Sequence, residues 1–321
     1  MRLENESFVG STVMPWKLLQ RHGELVSKDE IVPYCVQIFP TFKCNGKCRW
    51  CDYRGLDRSV ELTAGELRGI ADHFRKLGTR AFVLSGGGEP TMHEGLDEFI
   101  AYAHGAGFHL GVVTNGLKWG ARGEVLPANG KVVWVRMSII DTETGKYDVK
   151  RLARLAAGLP DAEIGVSFTV TNAVDVGTAL GLMDIVESTG NITHIKFVED
   201  IINFAPEGMA RIRETCGPIS EKCIFQDRLS REQGAERCLV SLLKPTIGAD
   251  GYVYPCGCVQ FVRGGDDYDF TMPKEFRMAR WNEFSRSTPP FNGAICRRCP
   301  FDRHNRILAG LRTEFKHERF I

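Results

Sequence analysis

The chain has 321 residues, 43% hydrophobic and 25% charged, with 41 basic against 40 acidic side chains and a formal net charge of +1. This is a globular composition, long enough for one large α/β domain plus an appendage. It holds no run of 18 apolar residues to span a membrane, and its near-zero charge removes the broad electrostatic case for nucleic acid or an anionic lipid surface.

The opening "MRLENESFVGSTVMPW" has acids and no apolar run behind a basic end, so it does not read as a secretory leader, and a cytoplasmic location is expected. Residues 1–33 read as an N-terminal extension. The first apolar run, "YCVQIF" (34–39), predicts a strand, and the loop after it, "CNGKCRWC", sets Cys44, Cys48 and Cys51 within eight positions. Eleven cysteines, odd in number and closely spaced in groups, point to metal binding rather than a disulfide framework. A structural zinc site closes with four ligands, whereas three thiolates on an iron–sulfur cluster leave one iron open to a small molecule.

Next comes "ELTAGELRGIADHFRKLG", in which Leu67, Ile70, Ala71, Phe74 and Leu77 keep helical spacing. Thr63 and Glu66 form a capping box, and Gly78 ends the helix. "AFVL" (81–84) predicts a second strand running into "SGGGEP", followed by the helical "LDEFIAYAHGAG". Further strands are expected at "LGVV" (110–113), "VVWVRMSII" (132–140), "IGVSFTV" (164–170) and "HIKFV" (194–198), alternating with helices. Such alternation builds a parallel sheet with right-handed crossovers, doubly wound or curled into a partial barrel, with its active site at the carboxyl ends of the strands.

The loop C-x3-C-x-aromatic-C, with Trp50 at the aromatic position, and Gly87-Gly88-Glu89 after the second strand resemble the radical S-adenosylmethionine (SAM) superfamily over roughly residues 34–204. The resemblance implies a partial (β/α)6 barrel, placed at 34–215. It also implies a 4Fe-4S cluster on Cys44, Cys48 and Cys51 whose free iron chelates SAM, and hydrogen abstraction by a 5'-deoxyadenosyl radical. Glycines let the backbone approach the ligand, and Glu89 with nearby carbonyls can receive an ammonium group. Thr114, Asn115, Arg136 and Ser138 are candidate SAM contacts, each also able to serve as a turn or core residue.

From "CGPISEKC" onward the pattern changes, and a cysteine-rich domain is expected over 216–321. Cys238 precedes "LVSLLKPTIGADGYVYPC", read as strand, Asp-Gly turn and strand returning Cys256 beside it. The hairpin and the closing "CRRC" resemble the twitch domain, the shortened SPASM domain of some radical SAM enzymes. That resemblance assigns Cys238, Cys256, Cys296 and Cys299 to an auxiliary 4Fe-4S cluster, with structural zinc at the same thiolates as the alternative. Of the remaining cysteines, Cys35, Cys216, Cys223 and Cys258, most are expected to be small buried hydrophobes. Cys258 is a candidate hydrogen-atom donor, and Cys216 or Cys223 could reach the active site or substitute in the cluster.

An auxiliary cluster that takes an electron makes a dehydrogenase; a cysteine that returns hydrogen to the opposite face makes an epimerase. The twitch-bearing family includes aminocyclitol dehydrogenases, and related enzymes epimerize aminoglycosides. Another branch modifies ribosomal peptides, often through an N-terminal recognition module for which 33 residues are too few, and a ribosomal-peptide maturase is the alternative enzyme reading. The expectation is dehydrogenation or epimerization of an aminocyclitol, amino sugar or related natural-product intermediate. Glu199, Asp200 and Asn203 are candidate substrate contacts, and a flavodoxin- or ferredoxin-like protein the electron donor. An iron–sulfur electron carrier is the non-enzyme alternative.

Overall fold

The computed structural model describes residues 17–21, 23–24, 30–121, 123–139, 149–200, 202–226, 232–260 and 270–313. Most of the expected 1–33 extension, including its opening, lies outside them, as does position 140 at the end of the fourth expected strand.

All six expected strands form: β1 (Cys35–Ile38), β2 (Ala81–Leu84), β3 (His109–Thr114), β4 (Trp134–Ile139), β5 (Glu163–Val170) and β6 (Ile192–Glu199). They pair in sequence order, each parallel to the next. A seventh, β7 (Cys223–Gln226), continues the series beyond β6 and was not expected from the sequence. The crossovers carry helices α1 (Ala64–Lys76), α2 (Leu96–Gly105), α3 (Val149–Gly158), α4 (Val176–Ser188) and α5 (Pro206–Cys216). Parallel strands joined by helices make this an α/β barrel-like fold. Among the described residues no helix is long and apolar enough to cross a membrane.

Local chemistry accounts for the elements. At the start of α1 the Thr63 hydroxyl accepts from Glu66 N at 3.1 Å while Glu66 accepts from Thr63 N at 2.8 Å. Leu67, Ile70, Ala71 and Phe74 form its buried stripe, and Gly78, at φ +94°, takes the left-handed turn beyond it. In β4 and β5 the residues alternate. Val135, Met137, Ile139, Ile164, Val166, Phe168 and Val170 are buried in the hydrophobic core, leaving Arg136, Ser138, Gly165, Ser167 and Thr169 on the inner face. Strand register sets Ser138, Ser167 and Lys196 on one level, with Arg136, Gly165 and His194 on the level before it. Gly165 has to be small: a Cβ there would stand 2.4 Å from the His194 ring.

The cysteine-rich tail contributes α6 (Val240–Leu243), β8 (Thr246–Ile247), β9 (Tyr252–Tyr254), β10 (Ala279–Arg280) and α7 (Asp302–Leu311). One expectation needs correcting here, because "VSLL" is a helical turn rather than a strand. Asn305 Oδ1 accepts from Val240 N at 3.0 Å and so starts the turn. The strand shrinks to Thr246–Ile247, after Pro245. The Asp250–Gly251 turn does form, with Gly251 at φ +78°, and pairs β8 antiparallel to β9. β8 also runs parallel to β1, so the tail strands extend the barrel sheet in the order β10-β9-β8-β1-β2-β3-β4-β5-β6-β7.

Candidate active site

The loop after β1 is closed at its neck by main-chain bonds, Phe42 N to Val60 O at 2.9 Å and Leu62 N to Pro40 O at 2.9 Å. Arg58 ties it down from within: its guanidinium donates to Phe42 O at 2.9 Å, Gly87 O at 2.7 Å and Tyr53 O at 3.0 Å. The three-cysteine loop is thereby fastened to the glycine loop after β2. Gly88 sits where the two backbones meet, since a Cβ would lie 2.3 Å from Lys43 O, and Glu89 N donates to that same carbonyl at 2.7 Å.

Glu89 is buried and heavily engaged. Its Oε1 accepts from Thr91 N, Thr91 Oγ1 and Thr114 Oγ1, and its Oε2 accepts from Asn115 N at 2.6 Å. Burial raises its pKa, opposed by those donors. Glu89 therefore locks the β2 and β3 loops together. Asn115 extends the lock to the cysteine loop by donating from Nδ2 to Asn45 Oδ1 at 2.9 Å.

These loops and the inner barrel face enclose a cavity of about 330 Å³. Cys44, Cys48 and Cys51 line it with Trp50, Gly87, Gly88, Glu89, Thr114, Asn115, Arg136 and Ser138, so the sequence-predicted cofactor residues share one chamber. Glu199 and Asp200 line it too; Asn203 instead lines a neighbouring cavity of about 300 Å³ that shares Trp50 and Asp200 with the first. Cys258 is not among the residues lining either cavity. Sequence reasoning missed Ser167, Thr169, Lys196 and Gln226, which complete the polar wall. The alternation in "VSFTV" was the available signal for two of them. Beneath this wall His194 is lowered from 6.5 to about 4, first by burial and then by the charges of Arg136 and Lys196.

The tail thiols come together from three separated segments. Residues 232–238 run against 291–299 through Cys238 N to Phe291 O at 2.9 Å, Gly234 N to Cys296 O at 2.8 Å and Cys299 N to Glu232 O at 2.7 Å. Burial first, then the neighbouring thiols, push Cys296 up to about 12 and Cys299 up to about 11; for both, the neighbours include Cys238 and Cys258. Cys256 is pushed well up by its hydrogen bond with Cys258, then by burial and the charges of Cys258 and Cys238. Thiolates crowded in this way repel one another, and a bound cation relieves the repulsion, so the donor set fits a metal or cluster. Among the described residues no three His, Cys, Asp or Glu side chains converge as a site for a single ion, whereas a 4Fe-4S cluster offers its thiolates separate irons.

Tyr53 stands between the two thiol groups. Buried against Phe39, it donates from its hydroxyl to Gly257 O at 2.7 Å, between Cys256 and Cys258. Cys216 and Cys223 lie elsewhere: Cys216 is buried in the barrel's outer core with Cys223 packed against it, and the Cys223 thiol reaches Cys216 O at 3.6 Å. Neither lines the cavity.

Residues 38–156 match the family model described as the Radical SAM superfamily. The chain is 34% identical over 83 residues to the S-adenosylmethionine-dependent nucleotide dehydratase of Selenomonas ruminantium, across 26% of this chain and 30% of that protein. It is 30% identical over 149 residues to a probable GTP 3',8-cyclase of Pyrobaculum aerophilum, across 45% of each. The chain thus spans less than half the length of these curated relatives. Among solved structures, Streptococcus suis SuiB bound to precursor peptide SuiA has a TM-score of 0.55 at 13% identity, over 79% of this chain and 66% of that one. Native anSMEcpe with bound AdoMet has a TM-score of 0.53 at 14% identity, over 79% of both chains. At these identities the likeness is one of fold.

Proposed function

We propose, from the match of residues 38–156 to the radical SAM family, that the protein is an enzyme abstracting hydrogen from a small polar substrate, with dehydrogenation or epimerization as the outcome. One observation carries the reading: Cys44, Cys48 and Cys51 open into the same cavity as the glycine loop, Glu89, Asn115 and the polar wall of β4–β7. Cys44, Cys48 and Cys51 would hold a 4Fe-4S cluster whose remaining iron binds SAM, and the pair, once reduced by a flavodoxin- or ferredoxin-like donor, supplies a 5'-deoxyadenosyl radical. The loops locked by Arg58 and Glu89 would offer the carbonyls of Gly86 and Gly88 to the methionine end, the Gly87 carbonyl being taken by Arg58. Trp50, Thr114, Asn115, Arg136 and Ser138, which line the same cavity, would hold the rest of the ligand, and the inner barrel face would present the substrate.

Cys238, Cys256, Cys296 and Cys299 would hold a second 4Fe-4S cluster, an electron acceptor suited to turning a substrate alcohol into a ketone. The epimerase arm needs a hydrogen-atom donor at the substrate carbon, and Cys258, which lines neither cavity, is not placed to serve as one. Curated relatives named for a nucleotide and for GTP support a small substrate over a ribosomal peptide. An amino sugar or aminocyclitol meets the chemical requirement of a ring carbon bearing hydroxyl or amine.

The test is anaerobic incubation of the reconstituted protein with SAM and dithionite, assaying 5'-deoxyadenosine, alongside iron and sulfide per chain. About eight irons and SAM cleavage are expected. Intact clusters without cleavage would reduce the protein to an electron carrier. About four irons with zinc in the tail would remove the electron acceptor from the dehydrogenase scheme.

A further inference from the structure

Asn305 meets the tail thiols from α7, the helix that follows the closing cysteine pair, and is only 3% exposed. Its main-chain N–H donates to Phe301 O at 3.0 Å, so the helix fixes where the side chain starts. The carboxamide then makes two contacts. Its Oδ1 accepts from Val240 N at 3.0 Å, and its Nδ2 donates to the Cys238 sulfur at 3.8 Å. The orientation is dictated: the Val240 N–H can only donate, so the atom facing it is the oxygen, which turns the amide hydrogens toward the sulfur.

Cys238 is held in place to receive them. Its N–H donates to Phe291 O at 2.9 Å, and its carbonyl accepts from Ser241 N at 3.2 Å and from Ser241 Oγ at 2.6 Å. Ser241 Oγ accepts in turn from Phe291 N at 3.2 Å, which closes the ring. With both polar main-chain atoms engaged, the sulfur is left to bind a cluster. Each thiol group also has a main-chain donor two residues beyond a cysteine, Gly46 N to Cys44 Sγ and Phe301 N to Cys299 Sγ, both at 3.4 Å. Those bonds come with the local turn. The Asn305 contact instead reaches across 67 residues from a side chain, so a substitution can remove it.

Adding one electron to a 4Fe-4S cluster places negative charge partly on its sulfur ligands, and a donor to such a sulfur holds the reduced state better than the oxidised one. We propose that Asn305 is a positioning residue of the tail site that raises the reduction potential of a 4Fe-4S cluster held by Cys238, Cys256, Cys296 and Cys299, favouring its one-electron reduction. The inference rests on the reading of the tail as an auxiliary cluster and adds what suits that cluster to accept an electron. Because the same carboxamide starts the Val240–Leu243 turn, one side chain both seats Cys238 and adjusts the group that Cys238 binds.

The test is a redox titration of the reconstituted full-length protein followed by electron paramagnetic resonance, with iron, sulfide and zinc measured per chain. The tail couple is the one that survives replacement of Cys44, Cys48 and Cys51 by Ala. Asn305→Leu removes both amide contacts, whereas Asn305→Asp keeps an oxygen for Val240 N and puts a carboxylate where the donor stood. At pH 8 both should keep about eight irons. Each should lower the equilibrium constant for reducing the tail cluster about tenfold, a shift of about 59 mV to more negative potential, with the loop couple unmoved. Asn305→Asp reads the potential even where Asn305→Leu sheds the tail's iron. An unchanged tail potential in the variants that keep their iron would make Asn305 an anchor of the turn alone and overturn the inference. Zinc in the wild-type tail, which leaves no second couple, would instead overturn the functional reading and the inference with it.

Discussion

The two thiol groups of this chain are made in opposite ways. Cys44, Cys48 and Cys51 sit on one short loop whose shape is fixed by main-chain bonds, the Arg58 guanidinium and the tight seat of Gly88. Cys238, Cys256, Cys258, Cys296 and Cys299 are gathered from segments far apart in sequence, zipped together by backbone bonds between 232–238 and 291–299. A loop site depends on local geometry and opens to a cavity; a gathered site depends on tertiary assembly and its thiols are repelled by one another until a cation joins them. Substitutions in the first should therefore act on chemistry, and substitutions in the second on folding as well.

The largest effect should come from the cysteines themselves. Replacing Cys44, Cys48 and Cys51 by Ala should leave about four irons per chain, abolish SAM cleavage and barely move the thermal midpoint. Cys296→Ala with Cys299→Ala should also halve the iron but lower the midpoint by several degrees. Equal thermal losses in the two variants would break the comparison.

Gly88→Ala comes next, because its Cβ would meet Lys43 O at 2.3 Å, a backbone atom with nowhere to go. The two loops should part at a cost of about 1–3 kcal/mol. Iron per chain should fall toward the level left in the variant lacking Cys44, Cys48 and Cys51, as iron and sulfide analysis of the Gly88→Ala protein would reveal.

A pH scan probes the barrel wall around β6, at His194. His194 titrates near pH 4 when folded and near 6.5 when unfolded, so its neutral form costs nothing above pH 6.5. As pH falls from 6.5 toward about 4, the unfolded chain takes up a proton that the folded one refuses, and stability drops by at most about 3 kcal/mol. Denaturant midpoints over that window should slope downward in the wild type and flatten in His194→Gln; parallel slopes would clear His194 of the role.

The smallest effect sharpens the link between the sites. Tyr53→Phe removes the 2.7 Å bond to Gly257 O while keeping the ring against Phe39. It should cost about 1 kcal/mol in denaturant unfolding, with iron content unchanged. Loss of the tail's iron instead would mean that the gathered site depends on the loop site.

The same contrast explains what the sequence could reveal. The six barrel strands, the α1 capping box and the loop cysteines are legible because each is written in contiguous residues: a period, a cap, a spacing. Lys196 and Gln226 join the cavity wall only through strand register, and Arg58 reaches carbonyls at Phe42 and Gly87 that no spacing rule connects to it. β7 escaped notice because "CIFQ" begins on the last residue of "CGPISEKC", where the sequence pattern turns cysteine-rich. "VSLL" reads as a strand by composition and becomes a helical turn because Asn305, from α7, accepts from Val240 N. The roles of Glu199 and Asp200 depend on where their carboxylates point, which composition does not encode.

The pairing of β8 with β1 bears on how the protein is made. Gln37 is registered with Thr246 and Ile38 with Ile247, partners about 200 residues apart. The strand from which the three-cysteine loop springs thus keeps one open edge until most of the chain has left the ribosome. Contacts of such long range slow folding and leave strand edges exposed meanwhile. Assembly of the loop site should therefore follow, rather than guide, completion of the barrel, and chains truncated before Thr246 should aggregate even though every residue that matches the radical SAM model is present.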